Sequence, residues 1–208
     1  GIMTADPRIV SEATLIKKIS YDEIFQFADQ GAKVIHPRAV ELCRKYNIPL
    51  VIKNTMNECA GTVISNCEGE VDENIITGIT HMKDRVQIEV SKNESSSYVD
   101  LFDILAENLI SIDLINVFPK EKIFTIDEKD FSKFIGLIKE LNISYSFIKD
   151  CSKIAIIGSK MRGIPGVMAR ILKALTKQKI EVLQTADSHM TIWCLVRSEE
   201  HTSELQSP

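Results

Sequence analysis

A repeat confines this chain more tightly than any single motif. Residues 99–126 and residues 169–196 follow one pattern at an ungapped offset of 70. Leu101 stands over Ile171, Phe102 over Leu172, Leu105 over Leu175, Ile110 over Ile180 and Ile112 over Val182. Further on, Ile123-Phe124-Thr125-Ile126 lies over Trp193-Cys194-Leu195-Val196. Each copy reads strand, helix, strand, strand, and the first continues into a helix over 130–141 and a strand over 144–148. That order, βαββαβ, is the ferredoxin-like arrangement. The second copy is expected to start its second helix near residue 200. There the chain instead reads Arg-Ser-Glu-Glu-His-Thr-Ser-Glu-Leu-Gln-Ser-Pro over 197–208, which looks like a translated sequencing adapter and is set aside as a non-native tail. Residues 75–80 and 85–90 both read as strands, one more than the first copy needs. The spare strand, 75–80, is expected to cross over and complete the second copy, so that the two modules interleave. The expected boundaries are 1–66 for a preceding segment, 67–74 for a polar, acidic linker, 75–150 for the first module and 151–196 for a truncated second.

The segment ahead of the repeat is of a different kind. Over 21–30, Ile24, Phe25, Phe27 and Ala28 share one helical face, and Gly31 supplies a C-terminal stop. Pro37 opens another helix, where its missing N–H costs nothing, with Ala39, Val40 and Cys43 at helical spacing. Lys33 is thereby held on a short connection between two helices, with Arg38 nearby. The placement suits an ammonium facing a phosphate or nucleotide, and a solvated loop lysine is the plainer alternative. Residues 49–55 read as a buried strand and 61–64 as a short extended run.

Composition narrows the function. With 44% hydrophobic residues, 208 positions supply one large core or two small ones. The net charge of −4, the lack of a basic block and an aromatic content of 6% exclude a nucleic-acid footprint or stacking platform. No apolar run reaches the length of a membrane span, and the start has no charged-then-apolar signal. No nucleic-acid or membrane partner is expected, and the expected location is cytoplasmic. The five cysteines, Cys43, Cys59, Cys67, Cys151 and Cys194, are odd in number and lack a C-x-x-C pair. Cys43 and Cys194 read as core residues, as does Trp193 in its apolar strand. His36, His81 and His189 have no paired spacing, so no metal site is expected.

Two motifs and the repeat together point to a family. Gly1-Ile2-Met3-Thr4-Ala5-Asp6-Pro7-Arg8, and after one helical segment Gly31-Ala32-Lys33-Val34-Ile35-His36-Pro37-Arg38-Ala39-Val40-Glu41, resemble the end of the amino-acid-kinase domain of aspartokinases. The paired modules behind them resemble that family's tandem ACT domains, small amino-acid-sensing units. The resemblance covers residues 1–196. It implies an α/β (α+β) fold: a remnant of an amino-acid-kinase α/β domain followed by two interleaved ferredoxin-like ACT domains. It also implies a parent enzyme that uses ATP and Mg²⁺ to phosphorylate the side-chain carboxylate of L-aspartate, in lysine, diaminopimelate, threonine and methionine synthesis. Met3, Arg8, Lys33 and Val34 would line the nucleotide, Met3 standing where many relatives carry an aromatic residue. The family's Gly-rich Lys-Phe-Gly-Gly segment and its aspartate-holding residues are missing. No catalytic residue is therefore assigned, and the chain by itself is expected to be inactive. It also begins at Gly1 rather than at an initiator methionine, as an excised piece would.

An amino-acid effector presents a carboxylate, which suits helix N-terminal N–H groups, and an ammonium, which suits a carboxylate. The loop 93–97 leads into the first module's helix, with Asp113 on the next strand. The resemblance places the effector there, at Asn93, Ser96, Ile112 and Asp113, although the loop lacks the family's usual Gly and Pro. A serine N-cap beside an exposed aspartate is the plainer alternative. The tract 183–189 with Thr191-Ile192-Trp193 most resembles the diaminopimelate-responsive type, so diaminopimelate or lysine is the expected effector. The glycine-rich basic loop 158–166 lacks a Walker ending and is read as a subunit-interface loop. Apolar edges at 112–117 and 180–184 lead to the expectation of a homodimer through the ACT sheets. A reading of another class is an amino-acid-binding regulatory ACT module without catalytic activity.

Overall fold

The computed structural model describes residues 1–32, 34–56, 60–66, 75–91, 98–141, 143–159, 161 and 164–198, with backbone alone at 98–100. The chain divides into two compact units. One comprises Gly1–Met82, Ile154–Lys179 and Ala186–Cys194, the other Lys83–Lys153, Ile180–Thr185 and the stretch from Leu195 onward.

In the first unit, β1 (Ile2–Met3) pairs antiparallel with β2 (Leu15–Ile16). A second small sheet sets β5 (Thr62–Ser65) between β3 (Lys18–Ser20) and β4 (Leu50–Ile52). Helix α1 (Tyr21–Asp29) begins in a reciprocal capping box between Ser20 and Glu23. It ends in a Schellman turn: Gly31 takes φ +100° and the Ala32 N–H bonds the Phe27 carbonyl at 2.9 Å. Pro37 stands at the start of α2 (Pro37–Lys45), capped by His36, whose Nδ1 accepts the Arg38 N–H at 3.2 Å. Ile2, Ile19, Ile24, Phe27, Val40 and Ile64 are among its core residues. Two expectations are corrected here. Ala39 is exposed and only Val40 of α2 is buried. The expected strand over 49–55 shrinks to three residues at a sheet edge, where Val51 is 54% exposed because one face has no neighbour.

The repeat holds to the residue in the second and third strands of each copy. The longer strands are β6 (Gly78–Ser91), β7 (Ile112–Val117), β8 (Glu121–Asp127), β9 (Tyr145–Ile157), β10 (Val182–Asp187) and β11 (Thr191–Arg197). The helices are α3 (Tyr98–Glu107), α4 (Phe131–Glu140) and α5 (Val167–Lys177). The bounds of β10 and β11 are those of β7 and β8 moved by the repeat offset, and Leu109 and Lys179, also equivalent, both take left-handed φ near +56° and +59° after their helices. Six strands bond in the order β10-β11-β9-β6-β8-β7. Read from β9, the run β9-β6-β8-β7 places the fourth, first, third and second strands of the first copy in ferredoxin-like order. In β10-β11-β9-β6 the strand β6 occupies the fourth-strand position of the second copy. The expected pair of strands 75–80 and 85–90 is thus one strand, β6, kinked at Asp84, which takes φ +58°. In the same way 144–148 runs on into β9, kinked at Asp150 with φ +53°. Aspartate tolerates this conformation, and one such residue bends a strand without ending it. Strand β11 includes Arg197, and the Ser198 N–H bonds the Asp150 carbonyl at 2.7 Å; residues 199–208 lie outside the described residues.

In the second unit α3 and α4 cover the sheet, and Phe102, Phe124, Phe134 and Tyr145 pack edge to face at centroid distances of 5.8–6.1 Å. The repeat is not symmetric in burial. Leu105 is 1% exposed, whereas its equivalent Leu175 is half-buried in α5 and lines an apolar groove of about 660 Å³ with Ile76, Ile79 and Ile154. No helix among the described residues is long and apolar enough to cross a membrane. Truncation should read this asymmetry. Leu105→Ala is expected to cost about 3 kcal/mol and Leu175→Ala less than about half of that, measured as shifts in denaturation midpoint at unchanged slope.

Candidate nucleotide and effector sites

Met3 is half-buried in β1, opposite Leu15. The turn beyond it is closed by Asp6, which takes Arg8 in a fork. Arg8 Nε donates to Oδ1 at 3.0 Å, Nη2 to Oδ2 at 2.7 Å and the backbone N–H to Oδ1 at 2.9 Å. The hydrogen bonds from the Arg8 side chain and backbone hold the Asp6 carboxyl down to about 2. Arg8 is 87% exposed at its side chain, and its remaining guanidinium donors are directed to solvent, an arrangement suited to an anion. On the connection after α1, Val34 is 43% exposed and its N–H bonds the Ala32 carbonyl at 2.8 Å. Lys33 lies outside the described residues.

The effector residues fall in the second unit. Asp113 sits at a bulge in β7: pairing with β8 shifts register between Asp113 and Asn116, and buried Leu114 takes φ +48°. A leucine in left-handed conformation is strained by about 1–2 kcal/mol and persists only where its surroundings hold it. They do. Asp113 Oδ1 accepts the Leu114 N–H at 2.8 Å, and the Thr125 hydroxyl donates to the Asp113 carbonyl at 3.1 Å. Buried Gln184 donates from Nε2 to the Leu114 carbonyl and to Asn116 Oδ1, and its Oε1 accepts from Gln87 Nε2 at 3.0 Å. The Asp113 carboxylate, 44% exposed, forms an ion pair through Oδ2 with Lys153 of β9, which is 5% exposed. An ammonium arriving at Asp113 therefore meets a carboxylate already shared with a buried lysine. Ile112 is half-buried against the core and pairs with Ile126. Asn93 and Ser96 lie outside the described residues, as do Lys160, Arg162 and Gly163 of the 158–166 loop. At the start of that loop Gly158 has a plain reason: a Cβ there would run into the Ile75 carbonyl.

Sequence reasoning missed Lys153 and Gln184. The signal for Lys153 was present, a lysine directly ahead of the apolar run Ile154-Ala155-Ile156-Ile157 and at the strand's inward parity. Gln184 carried none. Glu23 was missed as well. Its Oε2 accepts from the Ser20 hydroxyl at 2.7 Å and the Ser20 N–H at 3.2 Å, and its Oε1 from the Thr77 hydroxyl at 2.6 Å and the Ser159 N–H at 3.3 Å. Burial pushes the Glu23 carboxyl up, and the bonds from Thr77, Ser20 and Ser159 outweigh it, leaving it below its ordinary range. Trp193, expected in the core, is half-buried, and its indole N–H donates to Gln30 Oε1 at 2.9 Å. Cys194 is fully buried, which pushes its thiol up and keeps it protonated. Among the described residues no group of three His, Cys, Asp or Glu side chains is placed to hold a metal.

Asp113→Ala strands a buried lysine and is expected to cost about 2–3 kcal/mol, with part of that loss recovered in Asp113→Ala combined with Lys153→Met, as a double-mutant cycle in denaturant would read. A depressed carboxyl stabilises the fold above its unfolded value and loses that contribution as pH falls through the folded one. The stability gap between the wild type and Glu23→Gln is therefore expected to be full at pH 7 and to shrink below the ordinary value of 4.5, as thermal unfolding along a pH series would show.

Comparison with known proteins agrees with this arrangement. The amino acid kinase family model matches residues 1–54, and an ACT domain model matches residues 146–203. Aspartokinase 1 of Bacillus subtilis is 34% identical over 96% of this chain, covering 51% of its own length. The crystal structure of Clostridium acetobutylicum aspartate kinase superposes with a TM-score of 0.87 at 26% identity, over 98% of this chain and 50% of that one. Escherichia coli aspartokinase III in complex with lysine and aspartate superposes with a TM-score of 0.74 at 25% identity, over 99% of this chain and 48% of that one. The chain spans about half the length of the curated relatives it matches. With an amino-acid-kinase segment joined to two interleaved ferredoxin-like modules, this chain is similar along nearly its whole length to aspartokinases.

Proposed function

We propose that this chain is the part of an aspartokinase that carries the nucleotide-side end of the catalytic domain and the amino-acid-sensing ACT pair. In the whole protein a side-chain carboxylate oxygen of L-aspartate attacks the γ-phosphorus of ATP, ADP leaves, and 4-phospho-L-aspartate forms. The similarity to aspartokinases along nearly the full chain carries this reading. The exposed Arg8 guanidinium, held in place by Asp6, supports a role beside the nucleotide phosphates, with Met3, Lys33 and Val34 along the adenine and ribose end. The described residues offer Mg²⁺ no carboxylate set, so none of them is given a metal role. Residues 1–66 form the kinase remnant, 67–74 the linker, 75–150 the first ACT domain and 151–196 the second, in a cytoplasmic protein.

The ACT pair binds an amino acid at Asp113 and Ile112 with Asn93 and Ser96, and the effector is diaminopimelate or lysine. Two observations support this: the strained, side-chain-stapled bulge at Asp113, and the lysine and aspartate bound by the E. coli relative. The sensor acts as a homodimer through its ACT sheets. The chain alone is expected to form no aspartyl phosphate in a coupled assay. Isothermal titration with diaminopimelate, lysine and threonine is expected to give heat with one of the first two, reduced at least tenfold in affinity by Asp113→Asn. Silence from all three would sink the effector assignment, and aspartyl phosphate made by this chain would overturn the division of labour.

A further inference from the structure

Helix α1 has an apolar face and, beside it, a polar stripe that the core does not explain. Glu23, Gln26 and Gln30 recur at spacings of three and four, one stripe of a helix. Each makes a side-chain hydrogen bond to a residue far along the chain within the same compact unit. Glu23 joins the Thr77 hydroxyl and the Ser159 N–H. Gln26 Oε1 accepts from the Thr191 hydroxyl at 3.1 Å, and Gln30 Oε1 from the Trp193 indole. The Gln30 carbonyl also accepts from the Thr80 hydroxyl at 2.8 Å.

We propose that this stripe is a positioning seam: it fixes the rotation of α1 against the start of β6, the end of β9 and β11, and through α1 sets the turn at Gly31, Ala32 and Val34. An apolar contact tolerates sliding, whereas hydrogen bonds weaken steeply with angle. A slip of one residue turns the stripe by about 100° and breaks every one of these bonds. The seam leads directly into the turn: Gln30 is the C-cap, Gly31 takes φ +100° where a Cβ would crowd the His81 carbonyl at 3.0 Å, and the Ala32 and Val34 N–H groups close the turn. A displacement of Ser159 or Thr191 in the second module is thus carried into the segment of Val34. What that segment binds rests on the nucleotide reading above; the seam itself does not.

Residue-resolved amide exchange on the whole chain tests this, with the Ala32 and Val34 amides as reporters and those of 118–127 as the reference. Thr77→Val and Thr191→Val are each expected to raise reporter exchange about tenfold and leave the reference unchanged, and Thr77→Ser, which keeps the hydroxyl, to restore the wild-type rate. Ser20→Ala, which weakens the helix start, is expected to move the first turn of α1 and leave Val34 within about threefold. Wild-type reporter rates in Thr77→Val and Thr191→Val would overturn the proposal, as would a uniform rise across reference and reporter alike. Titration of ATP into the same sample, read as shifts over 31–36, tests the nucleotide assignment separately.

Discussion

Two strands, β6 and β9, are each used twice. Each is kinked at an aspartate in left-handed conformation, and each serves as the first strand of one ferredoxin-like module and the fourth of the other. A four-stranded sheet missing its fourth strand exposes a row of unpaired backbone groups, which is costly and prone to mispairing. Sharing the strands removes that edge for both modules at once. It also makes their folding interdependent, since the second copy has its fourth strand only when residue 78 onward has joined the sheet. Gly158 is part of the same constraint, because the chain entering β6 passes so close to it that no side chain fits.

Around this frame the two units use different means of holding their candidate site segments. In the second unit a strained backbone bulge is stapled by a half-buried ion pair and a chain of amides, Lys153 to Asp113 and Gln87 to Gln184 to Leu114. Such a network leaves a ligand that needs Asp113 in competition with an internal cation. In the first unit α1 is held by one carboxylate accepting four hydrogen bonds and by two glutamines. Directional bonds there specify an orientation, where hydrophobic burial alone specifies only proximity.

The fold was largely legible. The repeat offset carried over to the exact strand bounds, and Gly31 and Pro37 marked a helix end and a helix start as their backbone chemistry requires. What misled were the kinked strands. Residues 75–80 and 85–90 read as two strands and 144–148 as a strand that stops, and the structure bends one strand at Asp84 and another at Asp150, because the pairing that keeps each strand continuous comes from neighbours remote in sequence. Val51 misled for a related reason: apolar character sets a preference for burial, and strand order, which leaves β4 at a sheet edge, decides whether a neighbour is there to provide it.

The sequence by itself determined the helix ends, the two-copy architecture and the resemblance to aspartokinases, because periodicity, caps and motifs are local properties of neighbouring residues. The tertiary structure alone decided the partners: that Asp113 is neutralised by Lys153, that Gln184 holds the bulge, and that Glu23 joins its own helix cap to residues 54 and 136 positions away. A hydrogen bond depends on distance and angle in space, and two residues separated by most of a chain carry no mark in the sequence that they will meet.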